Sequence, residues 1–456
     1  MNADRCLCID FGNSFTKLAL RPDRELPSDY LRCAGLDYDR GLNLCIPTMA
    51  ARLIEGVRER WFFGADALDV QQYTPGATFF RDWKRDFFQE SESELREEFS
   101  GWVSAGKRKK EGGRRGCSVE ELDVISRGFF RWVRDFADRV MMERGLGRID
   151  EVVTRISIPS FALGSPEESR LLSVLSQAGF HLAPSQPTIP EPLANAVGVF
   201  SDGRNVVCPE GAGVDFERMF SGTRLSDVMR TRSEDLSGTP RIFWSLVADL
   251  GAYTLDFAML GFSTTDPQRS LRQTFYGRER FGIYSEPLGI SHLFQRIRDS
   301  LYPAKRPIFD ELIAGRLPEE QTLFFENVFL RGIPFEYRST GLVIGEGDEG
   351  QQIGKELHAF AQEAARKLKL FLEHYRYKRV DEVVFTGGGM NIPAIRDALF
   401  AVAEQFSATH GFVPSHPEER LPAPLLDRID QFQVRGATAL GGSSLFFDEA
   451  VEILNA

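Results

Sequence analysis

Two segments far apart in the chain share one pattern: an apolar strand, an Asp-x-Gly sequence, a short polar turn and a second apolar strand. The first covers residues 6–20 around Asp10, and the second covers residues 246–260 around Asp249. A glycine at the bend between two apolar runs predicts a β-hairpin. Because the copies are so widely separated, we interpret them as a duplicated domain rather than as a short solenoid repeat.

Helical and strand patterns alternate around both hairpins. Apolar residues at helical spacing predict helices at about 119–145, 165–178 and 350–376, and apolar runs predict strands at 152–158 and 380–385. Strands that alternate with helices are typical of α/β lobes. The sequence therefore predicts an α/β protein in which each lobe contains one of the hairpins.

Length and charge restrict the class of protein. A chain of 456 residues exceeds one ordinary core and predicts two or three domains. The net charge of -11 argues against a general nucleic-acid binder. The chain has no apolar run of membrane-spanning length, and its polar start lacks a signal-peptide pattern. The six cysteines show no metal-binding spacing, so we expect reduced thiols and a cytoplasmic protein.

Two stretches are interpreted as insertions. Residues 91–118 are charged and include a basic run at 107–110, and residues 201–240 are rich in Gly, Ser, Asp and Arg. A charged run of this kind is more often a solvated loop than a site for an anionic partner. Either stretch could dock a partner protein or merely decorate the surface.

The Asp-x-Gly hairpin suits phosphate chemistry. Its glycine lets the backbone approach an anion closely, and turn N–H groups point toward that anion. Asn13, Ser14 and Thr16 add donors beside Gly12. An aspartate cannot bind phosphate directly, so its presence implies an intervening cation, and magnesium held through waters fits a site with few carboxylates.

Taken in order, the motifs resemble those of the actin-like ATPase superfamily, and most closely the nucleotide-binding domain of the seventy-kilodalton heat-shock chaperones. The resemblance covers most of the chain, and its motifs lie at residues 9–16, 47–48, 63–67, 81–85, 158–161, 178–180, 191–196, 249–256, 385–393 and 435–437. It implies a duplicated, ribonuclease H-like fold with a nucleotide cleft between two lobes. Lobe I would be residues 1–200 closed by a helix at 438–456, and lobe II residues 241–437, with 201–240 as an insertion or loop.

The resemblance also implies roles for individual residues. Asp10 and Asp249 would hold Mg²⁺ through waters, Lys84 would reach the γ-phosphate or the attacking water, and Glu191 would position that water. Thr254 would lie beside the γ-phosphate. The residues that would form the binding site for the cofactors, ATP and Mg²⁺, are Asp10, Gly12, Asn13, Ser14, Lys17, Gly251, Ala252, Tyr253, Gly387, Gly388 and Asn391.

The chain departs from the chaperone pattern in several places. Tyr253 replaces a glycine and could crowd the phosphates or point away, and Asn391 replaces an arginine that stacks on adenine. Lys17 has a counterpart in actins rather than in the chaperones. Ordinary interpretations remain open, since Lys17 and Lys84 could be surface lysines and Glu191 could be a carboxylate at a helix N-terminus.

Four functions compete. The first is a slowly hydrolysing ATPase that switches a partner protein between ATP and ADP states, and the second is a filament-forming actin relative. The third is a scaffold that binds ATP without turnover. A small-molecule kinase ranks last, because no carboxylate base stands outside the phosphate motifs. About twenty residues follow Gly436, so we expect no chaperone-type peptide-binding domain.

Overall fold

The computed structural model describes the chain in separate stretches. These are residues 4–31, 45–74, 76–89, 117–201, 203–204, 242–263, 281–313, 323–337, 341–374, 380, 382–406, 413–415 and 436–447. The predicted insertions at 91–118 and 201–240 lie outside them, apart from a few terminal residues of each. The predicted closing helix at 438–456 is described only as far as residue 447.

The first half of the chain is built around a seven-stranded mixed sheet. Its elements are β1 Cys6–Asp10, β2 Phe15–Arg21, β3 Asp29–Tyr30, β4 Ile46–Pro47, β5 Ala50–Glu55, β6 Arg58–Phe63, α1 Gly64–Tyr73, β7 Thr78–Phe80, α2 Trp83–Phe87, α3 Val119–Glu143, β8 Val153–Ile158, α4 Pro166–Gln177, β9 His181–Leu182, β10 Thr188–Pro190 and α5 Glu191–Ser201. The strand order of the sheet is β10-β8-β1-β2-β3, with β4 beside β2 and β9 beside β8. Strands β6, β5 and β7 form a separate small sheet.

The second half is built around a five-stranded mixed sheet. Its elements are β11 Ile242–Leu250, β12 Leu255–Ser263, β13 Phe281–Glu286, α6 Ile290–Ser300, α7 Arg306–Ile313, a π-helix at Phe325–Arg331, β14 Phe335–Tyr337, β15 Leu342–Ile344, α8 Gly347–His374, β16 Glu382–Thr386, α9 Pro393–Gln405 and β17 Val413–Ser415. A further helix, α10, covers residues 436–442. The strand order is β13-β12-β11-β16-β17, and β14 pairs only with β15.

The two large sheets repeat one arrangement of five strands. In each, a hairpin provides the first two strands, and the outer strand of the hairpin pairs antiparallel with the next strand, β3 or β13. On its other side the first strand pairs parallel with β8 or β16, which in turn pairs parallel with β10 or β17. The structure is therefore mixed α/β, as the sequence predicted, and its two sheets share strand order and direction.

The helices begin and end close to their predicted positions. Ser118 caps α3 through a capping box with Glu121, which satisfies N–H groups of the first turn. Ser165 accepts a hydrogen bond from the N–H of Glu168, and Pro166 opens α4. The predicted strand at 380–385 is found slightly later, at Glu382–Thr386. Within the stretches described, none of the helices is long and apolar enough to cross a membrane.

Each large sheet has its own hydrophobic core. In the first half, the rings of Phe11, Trp83, Phe129 and Phe130 contact one another at centroid distances of 5.0 to 6.5 Å. All four side chains are fully buried. Burial of one phenylalanine contributes about 1.5 to 3 kcal/mol, so this cluster is a strong anchor. It holds the bend of the first hairpin, which carries Phe11, against α2 and α3.

The stretch that contains α10 packs against the first sheet. Two fully buried arginines on that sheet, Arg21 of β2 and Arg155 of β8, bind it. Arg21 donates to the carbonyl of Ser443 at 3.1 Å, and Arg155 donates to the carbonyl of Ser444 at 3.2 Å. Cations are favourable beside the carbonyls at a helix C-terminus. These bonds fix the end of α10 to the first half of the chain.

Candidate functional site

The repeated arrangement places Asp10 and Asp249 at equivalent positions. Each is the last or next-to-last residue of the first strand in its hairpin. In register, Asp10 lies opposite Lys17 on one side and Ser157 on the other. Asp249 lies opposite Asp256 and Thr386. The predicted pair of strand-end aspartates is therefore present, but the residue across the hairpin differs in charge.

In the first hairpin, Asp10 is paired with Lys17. Lys17 Nζ donates to Asp10 Oδ2 at 2.9 Å, and the two side chains are only 17% and 8% exposed. The hydroxyl of Ser157 lies 3.4 Å from Asp10 Oδ1. Burial lowers the pKa of Lys17, but Asp10, with smaller contributions from Cys45 and Asp249, raises it by more in total, so the net shift is upward. Lys17 is thus a largely buried, charged partner and not an exposed surface lysine.

In the second hairpin, two carboxylates lie opposite each other. Asp256 Oδ2 accepts a hydrogen bond from Thr254 Oγ1 at 2.7 Å. Burial, together with the charges of Asp10 and Glu191, raises the pKa of Asp249 to about 7, although Lys17 opposes the shift. Burial and the charges of Glu191 and Asp249 also raise the pKa of Asp256. Both carboxyls of the second hairpin therefore hold protons more readily than an exposed aspartate does, because no cation of that hairpin balances their charge.

Lys84 and Glu191 form a buried ion pair. Lys84 lies on α2 and is 2% exposed, and its ammonium contacts Glu191 Oε1. The ammonium also lies 5.4 Å from the centre of the Phe11 ring. Burial raises the pKa of Glu191, and Lys84 acts against this shift. The interpretation of Lys84 as a surface lysine is wrong. Trp83, the neighbouring residue on α2, packs into the aromatic cluster, so this face of α2 is buried.

Side-chain and backbone bonds hold the first turn closed. Asn13 Nδ2 donates to Asp82 Oδ1 at 2.6 Å, which ties the turn to the residue before α2. Asp82 has a left-handed backbone with φ 56°, a conformation that is uncommon outside glycine but that aspartate adopts more often than most residues. The hydroxyl of Thr16, which was predicted to add a phosphate donor, is fully buried and hydrogen-bonded to the hydroxyl of Thr48 at 2.9 Å. Ser14 is exposed.

The backbone groups of the second turn form hydrogen bonds within the protein. The N–H of Gly251 donates to the carbonyl of Thr254 at 2.9 Å, so in this structure the group forms a hydrogen bond within the hairpin. The carbonyls of Gly251 and Ala252 accept hydrogen bonds from the first N–H groups of α6, those of Ile290 and Ser291. These bonds satisfy donors that the start of a helix would otherwise leave unpaired.

Tyr253 points away from the turn. Its side chain is 2% exposed and lies edge-on to the ring of Phe161, with the ring centres 6.3 Å apart. Phe161 follows β8 of the first half, so this contact joins the two halves of the chain. Nearby, the N–H of Ser160 donates to Ser285 Oγ of β13 at 2.9 Å. Of the two orientations considered for Tyr253, the structure has the one that packs against protein.

The glycine run at 387–389 follows β16 and lies beside Asp249. Gly387 has φ +82°, and a Cβ there would lie 2.0 Å from Asp249 Oδ1. A side chain would therefore fill the space that this carboxylate oxygen faces. A Cβ on Gly388 would meet nothing within 4 Å, so that residue faces open space. Asn391 ends the short helical turn Gly388–Asn391 and is half-buried.

Two residues at the site were missed as site residues in the sequence. Asp256 follows the second turn, and its register position opposite Asp249 was a usable signal once the hairpin had been recognised. Asn195 donates from Nδ2 to Asp249 Oδ2 at 3.0 Å. No sequence pattern indicated it, because an asparagine inside an apolar helix has no characteristic spacing to its partners.

The charges gathered here suit a bound cation. Asp10, Glu191, Asp249 and Asp256 influence one another electrostatically, against the two lysines 17 and 84. Among the described residues, the buried atoms Asn13 Oδ1, Asp249 Oδ1 and Asp256 Oδ1 have no hydrogen-bond partner. Unpaired buried oxygens are costly, and a cation would satisfy them.

The donor set fits magnesium better than a metal that needs several direct protein ligands. Over the stretches that the structure describes, no three His, Cys, Asp or Glu side chains are arranged to hold a metal ion directly. Mg²⁺ usually keeps several of its waters and binds through one or two carboxylates. Asp249 supplies one such carboxylate, with the unpaired oxygen Oδ1.

Comparison with known proteins adds no further identification. No family model and no curated protein sequence matches this chain.

Proposed function

We propose that the protein binds Mg-ATP between its two large sheets, in a duplicated, actin-like two-lobe fold, and hydrolyses it slowly. The observation that carries the proposal is the cluster of four carboxylates and two lysines contributed by both hairpins, α2 and α5. The matching strand order of the two sheets supports a duplicated fold. As the sequence resemblance implies, this protein would act as a nucleotide-dependent switch on a partner protein.

Each group in the cluster has a role in this proposal. Asp249 and Asp10 would hold Mg²⁺ through waters, and the bound ion would neutralise charge on the phosphates. Lys17 and Lys84 would lie near the negative phosphate oxygens. The open space beside Gly388 would receive the nucleoside. Phosphoryl transfer depends mainly on positioning and charge stabilisation, which this set of residues provides.

Glu191 is the residue best suited to act on the attacking water. Its pKa is raised by burial, and a carboxylate with a raised pKa is a stronger base. Its bond to Lys84 fixes the orientation of the carboxylate. Hydrolysis in this proposal consists of Glu191 holding a water for attack while Lys84 stabilises the negative charge on the phosphoryl group.

The alternative function is an ATP-binding scaffold without turnover. It is favoured by the Lys84–Glu191 ion pair, in which the two groups that would act on water and phosphate neutralise each other. It is also favoured by the use of the Gly251 N–H within its own turn. Both functions require the same cation and nucleotide, so measurements of binding and of phosphate release are needed separately.

Binding is tested by thermal unfolding with and without Mg-ATP. At 100 times its dissociation constant, a ligand adds about 2.7 kcal/mol to the free energy of unfolding. We expect that stabilisation in the wild type and its loss in Asp10→Asn and Asp249→Asn. Asp150→Asn is the control, since Asp150 pairs with Arg134 and Arg148 instead of with the cluster. Wild-type stabilisation in both Asp10→Asn and Asp249→Asn would refute the assigned pocket.

Turnover is tested by single-turnover phosphate release. A wild-type enzyme that releases phosphate from bound ATP, and a Lys84→Ala variant that does not, would favour the ATPase. Binding without release in the wild type would favour the scaffold. Sedimentation of the wild type with ATP tests the filament alternative in the same preparation.

A further inference from the structure

Asn195 connects four elements through one buried amide. The residue lies on α5 and is 2% exposed. Its Nδ2 donates to Asp249 Oδ2 of β11 at 3.0 Å and to Thr438 Oγ1 of α10 at 3.2 Å. Its Oδ1 accepts from Thr386 Oγ1 of β16 at 3.1 Å. Both donors and the acceptor of the amide are used, so its orientation is determined by its partners.

The same face of α5 contacts both halves of the site. Glu191 and Asn195 are four residues apart on the helix, so their side chains project from one face. Glu191 pairs with Lys84 of the first half, and Asn195 binds Asp249 of the second half. A shift of α5 relative to β11 would therefore change the position of Asp249.

The hydrogen bond from Asn195 determines which oxygen of Asp249 is available. Asp249 Oδ2 is occupied by Asn195, whereas the buried Oδ1 has no partner among the described residues. Oδ1 faces the position at which Gly387 lacks a side chain. A carboxylate held by one oxygen presents the other in a single direction.

We infer that Asn195 is a positioning residue, which holds Asp249 Oδ1 toward the cation of the bound nucleotide. The inference rests on the proposed function and extends it, because Asn195 would act only through Asp249. It also makes α5 the element through which both halves of the site are aligned. Residues that orient metal-binding side chains typically contribute 10- to 100-fold to metal affinity or activity.

The test is a magnesium titration of ATP binding by isothermal titration calorimetry, on the wild type and Asn195→Ala. We expect the variant to need about 10- to 100-fold more Mg²⁺ for half-maximal binding of ATP. Its affinity for ATP in EDTA should equal that of the wild type. A requirement for Mg²⁺ like that of the wild type would overturn the inference and leave the proposed function intact.

Ser245→Ala is the matched control. Ser245 is fully buried on the same strand as Asp249, four residues before it, and donates at 2.9 Å to Glu382 at the start of β16. Its loss removes a neutral donor from a buried carboxylate without touching the site, so the Mg²⁺ requirement should stay at the wild-type value. An equal increase in this control would overturn the inference, because general loosening of the sheet would then explain it.

Two further arms keep the test decisive. If Asn195→Ala does not fold, Asn195→Ser is measured instead. The serine hydroxyl can bond to one neighbour but is too short to reach Asp249, Thr438 and Thr386 together. The same direction of change is expected. If the wild type binds no ATP at any concentration of Mg²⁺, the proposed function is wrong and the role of Asn195 is overturned with it.

Discussion

The two hairpins share a backbone arrangement and differ in charge. In β1–β2, Asp10 lies opposite Lys17 and forms an ion pair with it. In β11–β12, the equivalent position opposite Asp249 holds Asp256, a second carboxylate. The first hairpin therefore balances its own charge, whereas the second does so only with a proton or a cation. The same backbone arrangement thus contains a permanent ion pair in the first hairpin and two carboxyls in the second whose charge depends on a bound proton or cation.

The turns of the two hairpins also differ in how tightly they close. A Cβ on Gly12 would lie 2.1 Å from the carbonyl oxygen of Phe15, closer than any side chain tolerates. A Cβ on Gly251 would lie 3.6 Å from the carbonyl oxygen of Thr254, which is an ordinary contact. The glycine is thus a steric requirement in the first turn and not in the second.

The largest effect should come from pH, acting on the second hairpin. The pKa of Asp249 is about 7 in the folded protein and about 3.9 in an unfolded chain. Between these values the folded state holds the proton more tightly, so the free energy of unfolding falls as pH rises from 4 to 7. The full difference corresponds to about 4 kcal/mol, complete above pH 7.

Urea unfolding at pH 5, 6, 7 and 8 without divalent cations measures this loss. Asp249→Asn should reduce the slope, because an amide does not titrate in this range, although Asp256 and Glu191, whose pKa values are also raised, still contribute. Asp150→Asn should leave the slope unchanged. An equally steep fall in Asp249→Asn would show that another group is responsible and that the two hairpins are less different than proposed.

The next largest effect should follow from making the first hairpin resemble the second. Lys17→Met leaves Asp10 without its ion-pair partner and should lower the free energy of unfolding by about 3 kcal/mol at pH 8. The double variant Lys17→Met/Asp10→Asn removes both charges and should recover most of that loss. Chemical denaturation of the wild type, the single variant and the double variant measures these free energies of unfolding. If the double variant is no more stable than Lys17→Met, the loss comes from packing and not from the unpaired charge.

The smallest of these effects concerns the turns. Gly12→Ala forces the first turn to shift and should cost about 2 kcal/mol, as overpacked sites do. Gly251→Ala should change stability by less than about 0.5 kcal/mol. Thermal unfolding of the two single variants gives the comparison directly. Equal losses of stability in Gly12→Ala and Gly251→Ala would show that the two turns tolerate a side chain equally, contrary to the difference in their Cβ contacts.

Much of the fold could be predicted because local signals agree with it. The helix at Val119–Glu143 follows from its apolar spacing and from Ser118 with Glu121 at its start. Both hairpins follow from a strand, a glycine bend and a strand. The small sheet of β5, β6 and β7 was not predicted, because its strands are short and half-exposed and lack a clear apolar alternation.

The site could be predicted only where a motif carried it. Asp10 and Asp249 could be predicted because each is the aspartate of an Asp-x-Gly sequence that follows an apolar run. The bond between Lys84 and Glu191 joins residues far apart in the chain, so their pairing could be learned only from the packing. The hydrogen bond of the Gly251 N–H within its own turn depends on the backbone conformation. The same residues are compatible with other turn conformations, so the sequence does not predict this bond.

The binding of the α10 stretch by Arg21 and Arg155 has a consequence for how the chain folds during synthesis. Arg21 and Ser443 are separated by 422 residues, and Arg155 and Ser444 by 289. Two guanidinium groups in the first sheet stay without these carbonyl partners until nearly all of the second half has left the ribosome. At translation rates of about 5 to 20 residues per second, that sheet waits on the order of tens of seconds in an incomplete state. The first sheet is thus synthesised first but gains these hydrogen bonds only when the last part of the chain has been made.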